Sequence, residues 1–257
     1  AVGSEMPTRN QWISTFIIGN LLLLGGNGLV AWAEQTIPSG IAALIIGSVP
    51  LFLVIMEAIR PNGVKPNWQS IVGLIIGFIG IFILVGPAEI AGSETRLNPF
   101  GVIALLGACL FWAIGSIYSK SADLPKSTLM TTGAEMLMGS IGLFLISLIT
   151  GELNGWNPAE VSTRSLIGLV YLITIGSIIG FGSYIWLLQN APISLVATYA
   201  YVNPIVAVLL GYFFGNEILE PRIWLATAII IGAVAFINNR SKPQVKKEAQ
   251  EVAVNSK

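Results

Sequence analysis

The chain has 257 residues, 54% hydrophobic and 10% charged, with a mean hydropathy of +0.79. A soluble domain carries about 25% charged residues, so this composition excludes a water-soluble globular protein and requires an integral membrane one. Lys plus Arg and Asp plus Glu number 13 each, which argues against a nucleic-acid partner, and with no His and only Cys109 there is no histidine chemistry, histidine metal site or internal disulfide.

A bilayer core about 30 Å thick is crossed by about 20 apolar helical residues. Eight runs are read as spans, at 12–33, 38–59, 69–87, 99–118, 129–150, 165–188, 192–214 and 223–238. The predicted fold class is all-α integral membrane, a polytopic helical bundle. In the first span Asn20 and Asn27 stand seven apart on one face, where they either line a cavity or hydrogen-bond across helices. The second opens at Pro38, holds Pro50 inside it, and ends with Glu57 three residues before Arg60, the spacing of an interfacial ion pair. The fourth carries Cys109, which packs as a small hydrophobe, and Trp112, Ser116 and Tyr118.

The fifth span holds Glu135, about 6 Å from the midplane at about 1.5 Å per residue. An ionised carboxylate at that depth is costly and faces a bundle interior or a wet cavity. It serves either proton or cation coupling or a structural hydrogen bond to a neighbouring helix. The seventh span opens at Pro192 and runs through Tyr199, Tyr201 and Asn203 to Pro204. With Trp112 these polar aromatics suit a cavity with apolar walls and a few polar tips. Tyr118, Trp32 and Trp186 lie near span ends, in the position of an interfacial aromatic belt. The pairs Gly73/Gly77, Gly176/Gly180 and Gly211/Gly215 permit close helix packing.

Loops alternating between two sides place Arg9, Arg60, Lys65, Lys120, Lys126, Arg240, Lys242, Lys246, Lys247 and Lys257 on one side and Arg96, Arg164 and Arg222 on the other. The positive-inside rule puts the first group, and both ends of the chain, in the cytoplasm. The residues 239–257 are polar, free of aromatics and expected to be a disordered tail.

An internal repeat runs through the spans at a constant offset of 154: Gly28 meets Gly182, Trp32 meets Trp186, Gln35 meets Gln189, Pro38 meets Pro192, Ala43 meets Ala197 and Pro50 meets Pro204. Five crossings separate the copies, so they lie upside down to each other, the architecture of secondary transporters. Pro50 and Pro204 are then matched helix kinks, one for each side, and candidate gates. The expected organisation is a first repeat of three spans over 1–90, lacking its first two helices, and a second of five spans over 98–238. The chain starts at Ala1 with no initiating Met. A ten-span parent is expected, against the alternative of a complete eight-span chain.

The segments 38–44, 49–52 and 134–137, the tyrosine-rich run 197–211 ending in Asn203-Pro204 and apolar residues, and the Gly215-Asn216-Glu217 turn resemble the EamA-type permeases of the drug/metabolite transporter superfamily. The resemblance implies ten helices in two inverted five-helix repeats, an inner-membrane location, and export of small metabolites or drugs. The chain departs from that pattern at its front, and at 60–63 it has Arg-Pro-Asn-Gly where the family has a Gly-Glu turn. There is no Walker loop, Gly-x-Ser-x-Gly or His-Glu-x-x-His, so the chain is expected to be no enzyme and to need no cofactor or metal. The expected function is a secondary transporter exporting small amphipathic metabolites such as amino acids or drug-like compounds by alternating access. Its partners are a small-molecule substrate and the lipid bilayer, with protons as candidate coupling ions; a non-transporting membrane scaffold or sensor is the alternative. The candidate substrate or coupling residues are Glu135, Trp112, Tyr199, Tyr201, Asn203, Asn20 and Asn27.

Overall fold

The computed structural model describes residues 6–37, 42, 45–60, 63, 65–85, 98–154, 157, 161–199, 202, 221, 224–233 and 236. Tyr201, Asn203, Pro38, Pro204 and the tail 239–257 lie outside the described residues. Within them the chain is helical, with no strand. The helices are α1 (Arg9–Ala33), α2 (Val49–Ile59), α3 (Trp68–Val85), α4 (Pro99–Ser119), α5 (Thr128–Thr150), α6 (Thr163–Asn190) and α7 (Trp224–Ala233). A short turn of helix, Ile193–Val196, follows α6.

Polar residues set where the apolar runs begin. Thr8 accepts the amide of Gln11, whose side chain returns to the Thr8 amide, a capping box at the start of α1. Asn67 accepts the Ser70 amide at 2.7 Å ahead of α3, and Ser162 accepts the Ser165 amide at 3.1 Å ahead of α6. Gly151 ends α5 with φ +75°, a left-handed cap that favours glycine. In α1 the stretch Asn20–Gly28 is π-helical, and in α6 so is Leu172–Phe181.

Four described helices, α1, α4, α5 and α6, are long and apolar enough to cross a membrane. Eight such helices were expected from the sequence. The expected second span is interrupted: the chain turns at Gly47–Ser48, and Pro50 is the second residue of α2. Proline lacks the amide hydrogen that a helix interior uses, and the first turn of a helix uses none there. Pro50 therefore stands at a helix start rather than inside an unbroken helix.

The chain forms two compact units that do not follow chain order, each taking helices from both the 1–90 and the 98–238 segments. One unit contains α1, α4, α5 and α6; the other contains α2, α3, Ile193–Val196 and α7. In the second unit Ile193–Val196 packs on α2, and Gly80 of α3 lies against Ile230 of α7. The expected ion pair is present there, Arg60 Nη1 standing 3.8 Å from Glu57 Oε2.

In the first unit α1 packs along α5. The contact rests on Gly19 and Gly139: a Cβ on Gly139 would stand 2.7 Å from the Gly19 carbonyl, and one on Gly19 would strike the Glu135 carbonyl. Asn20 strengthens the seam, its amide donating to the Phe16 carbonyl at 2.8 Å and across to the Met138 carbonyl of α5 at 3.3 Å. The pair Gly176/Gly180, expected to bring helices together, does not do so among the described residues, since a Cβ on either meets only atoms of α6 itself. Ile18, Leu22, Leu105, Ile185 and Leu188 fill the interior. A side chain in place of the Gly139 hydrogen must part α1 from α5. Gly139→Val is expected to lower the melting temperature of the detergent-purified protein, through overpacking worth about 1–3 kcal/mol. Gly133→Ala, where a Cβ meets nothing within 4 Å, is expected to be neutral or stabilising by up to about 1 kcal/mol.

Candidate functional site

The first unit gathers a polar cluster among apolar walls. Trp112 and Ser116 stand four apart on α4, and both reach Tyr184 of α6. The Trp112 indole Nε1 donates to the Tyr184 hydroxyl at 2.8 Å. Ser116 Oγ lies 2.6 Å from the same hydroxyl and also donates to the Trp112 carbonyl at 2.6 Å. A serine has one proton to donate, so the tyrosine hydroxyl is the donor to Ser116. The three groups then close a ring: indole to tyrosine, tyrosine to serine, serine back to the tryptophan carbonyl. The two aromatic rings lie 5.4 Å apart, tilted by 47°, within the range of favourable aromatic pairs. Tyr184 is 7% exposed and Ser116 fully buried.

Glu135 of α5 belongs to the same unit. It is fully buried, and neither carboxylate oxygen has a hydrogen-bond partner among the described residues. One turn earlier on the same face, the Thr132 hydroxyl is also buried without a partner among the described residues. An ionised carboxylate left so costs several kcal/mol. A proton, a cation or a donor group from a bound molecule removes that cost. Among the described residues no group of three or more acidic or Cys side chains is placed to hold a metal ion.

Glu135 and Trp112 thus belong to the same unit, with Tyr184. Asn20 sits at the α1–α5 seam as a helix-bridging amide, and Asn27 is exposed. Tyr199 is half-buried and, with Pro50, belongs to the second unit. Trp32 and Trp186 are exposed and Tyr118 half-buried. Tyr184 was not anticipated. It lies four residues before the expected end of its span, where a tyrosine reads as part of the interfacial belt; only its placement facing Trp112 distinguishes it.

A family description of EamA-like transporters matches residues 1–86 and 99–239. The chain belongs to the EamA-like transporter family. This EamA-family chain is 38% identical over 236 residues to the "Uncharacterized inner membrane transporter YedA" of Escherichia coli strain K12, covering 91% of this chain and 74% of that protein. It is 24% identical over 227 residues to the "Probable terminal-alkyne amino-acid exporter" of Streptantibioticus cattleyicolor, covering 86% of this chain and 73% of that one. A solved crystal structure shares the fold with a TM-score of 0.73 at 19% identity, over 92% of this chain and 79% of the other. The EamA-family chain is thus a multi-pass inner-membrane transporter and not an enzyme, and it acts on a small molecule in a lipid setting.

The closed ring predicts a measurable coupling. Tyr184→Phe leaves the Trp112 indole hydrogen without an acceptor and is expected to destabilise the protein by about 1–3 kcal/mol. In the double variant Trp112→Phe/Tyr184→Phe the loss is expected to be less than the sum of the single losses. Unfolding of the four proteins in detergent checks both points.

Proposed function

We propose that the chain is a secondary transporter that exports small amphipathic metabolites, such as amino acids or drug-like amines, by alternating access. The observation that carries the reading is the Glu135 carboxyl, fully buried with both oxygens unpartnered among the described residues. A merely structural acid would be expected to have a donor from a neighbouring helix. This one stands ready for a proton or a cationic group, and Trp112 and Tyr184 supply the adjoining aromatic wall. The exporter direction is supported by the relative from Streptantibioticus cattleyicolor, whose name carries that activity.

Eight spans arranged as inverted repeats over 1–90 and 98–238 belong to the same reading. The helix starts Arg9 and Thr163 and their caps Thr8 and Ser162 are each 154 residues apart, the offset of the sequence repeat. Each of these helices also carries a π-helical stretch, ending at Gly28 in α1 and one residue before its match Gly182 in α6. Tyr199, Tyr201, Asn203, Asn20 and Asn27 remain candidate substrate residues of this reading, and Pro50 and Pro204 its candidate gates. Protons drive the cycle through Glu135.

The test is flux in proteoliposomes loaded with amino acids and cationic dyes, with and without a pH gradient. Wild-type flux is expected to rise with the gradient. Glu135→Gln is expected to insert normally and to lose the gradient-driven part. Undiminished gradient-driven flux in that variant would falsify the coupling role, and absence of flux for every solute would remove the transport assignment in favour of a scaffold.

A further inference from the structure

The helices α1 and α6 of the first unit are wound unevenly. In α1 the stretch Asn20–Gly28, and in α6 the stretch Leu172–Phe181, close their backbone bonds one residue wider than the α-helix on either side. A ladder that widens and then narrows again takes up one residue more than a plain α-helix. Gly25, Gly26 and Gly28 lie in the first stretch and Gly176 and Gly180 in the second, so little side chain opposes a change of pitch.

The same side-chain bond stands near the start of each stretch. The Asn20 amide donates to the Phe16 carbonyl at 2.8 Å, and the Thr174 hydroxyl to the Val170 carbonyl at 2.8 Å. Asn20 and Thr174 are 154 residues apart, as are Phe16 and Val170. A side chain that takes up a carbonyl one turn back competes with the backbone ladder and bends the helix. The bond recurs at one register of the repeat although the residue making it differs, which ties it to the wide stretch and not to the residue type.

Trp112 of α4 touches both helices. Its ring lies on Gly26 of α1, where a Cβ would stand 2.6 Å from Cε3. Its indole nitrogen donates to Tyr184, three residues beyond the end of the α6 stretch. In lipid a broken helix leaves backbone groups without partners, at high cost. Exchange between the wide and the narrow ladder avoids that cost, because each amide passes from one carbonyl to the next. One end of the helix turns against the other while the backbone stays bonded.

We propose that Asn20–Gly28 and Leu172–Phe181 are joints at which α1 and α6 change pitch, and that Trp112 is the contact moved by both. A turn at the first joint shifts the Gly26 seat under the indole; a turn at the second shifts the Tyr184 hydroxyl that holds its edge. The inference rests on the transport reading for its purpose, and it names the moving parts of alternating access within this unit.

Leu21, Leu22, Leu23 and Leu24 stand in a row, so deleting any one gives the same sequence. The deletion removes the extra residue of α1 and spares Asn20 and the glycines. Deleting Ile178 does the same in α6. The full chain carrying fluorotryptophan is placed in nanodiscs, and the fluorine NMR line of Trp112 is assigned by its loss in Trp112→Phe. In the wild type that line is expected to be doubled or broadened by exchange. In each deletion variant it is expected to be single and narrow, at an unchanged or higher melting temperature, with flux reduced severalfold. Thr174→Val, which keeps the shape and removes the hydroxyl, is expected to alter the doubling or the width.

A single narrow Trp112 line in the wild type overturns the proposal, as does exchange that survives both deletions or a line unaltered by Thr174→Val. A deletion variant that folds and keeps wild-type flux overturns it as well. Failure of both deletions to fold has the same force, because the extra residue then serves packing and not motion. The two readings fail separately. Wild-type flux with a single narrow Trp112 line removes the joints and leaves transport; exchange at Trp112 without wild-type flux removes transport and leaves the joints.

Discussion

The close approach of α1 to α5 at Gly19 and Gly139 is the constraint on which the first unit depends. In lipid, helices gain little from hiding apolar surface, because the surroundings are as apolar as a leucine. They are held by close packing and by the few hydrogen bonds that cross between them. Two glycines bring the backbones into contact, and Asn20 adds a bond to the Met138 carbonyl. The contact is made at the backbone of Glu135 itself.

Two kinds of buried polar group follow from that arrangement. Trp112, Tyr184 and Ser116 satisfy one another in a ring whose donors all have acceptors. Such a ring fixes α4 against α6 and keeps its aromatic faces in place. Glu135 and the Thr132 hydroxyl on α5 have no partner among the described residues. The contrast is what makes the acid the candidate on which the proposed function rests.

Part of the site was legible in the chain. An acid near the middle of a 20-residue apolar run is conspicuous by its cost, and Trp112 was conspicuous by its depth. Tyr184 was not, since sequence position near a span end gives an aromatic ring the same appearance whether it faces headgroups or another helix. The glycines show the same limit. Spacing drew attention to Gly176 and Gly180, which meet no other helix among the described residues, while Gly19 and Gly139, far apart in sequence, make the contact. Pro50 also changed meaning. A proline can kink a helix or begin one, and only the Gly47–Ser48 turn before it decides for the beginning.

Composition alone determined that the chain lives in a membrane, because 10% charged residues cannot clothe 257 residues in water. The apolar runs and their polar caps determined the helices, since each backbone hydrogen bond in a helix is local and is therefore written in neighbouring residues. The repeat at an offset of 154 and the family resemblance were likewise readable along the chain. Which helices touch was decided only by the tertiary structure. Helices far apart in sequence meet through shape: Gly19 against Gly139, Trp112 against Tyr184. These contacts depend on which face each helix turns to its neighbours, and in a uniformly apolar helix nothing in the residue pattern marks that face.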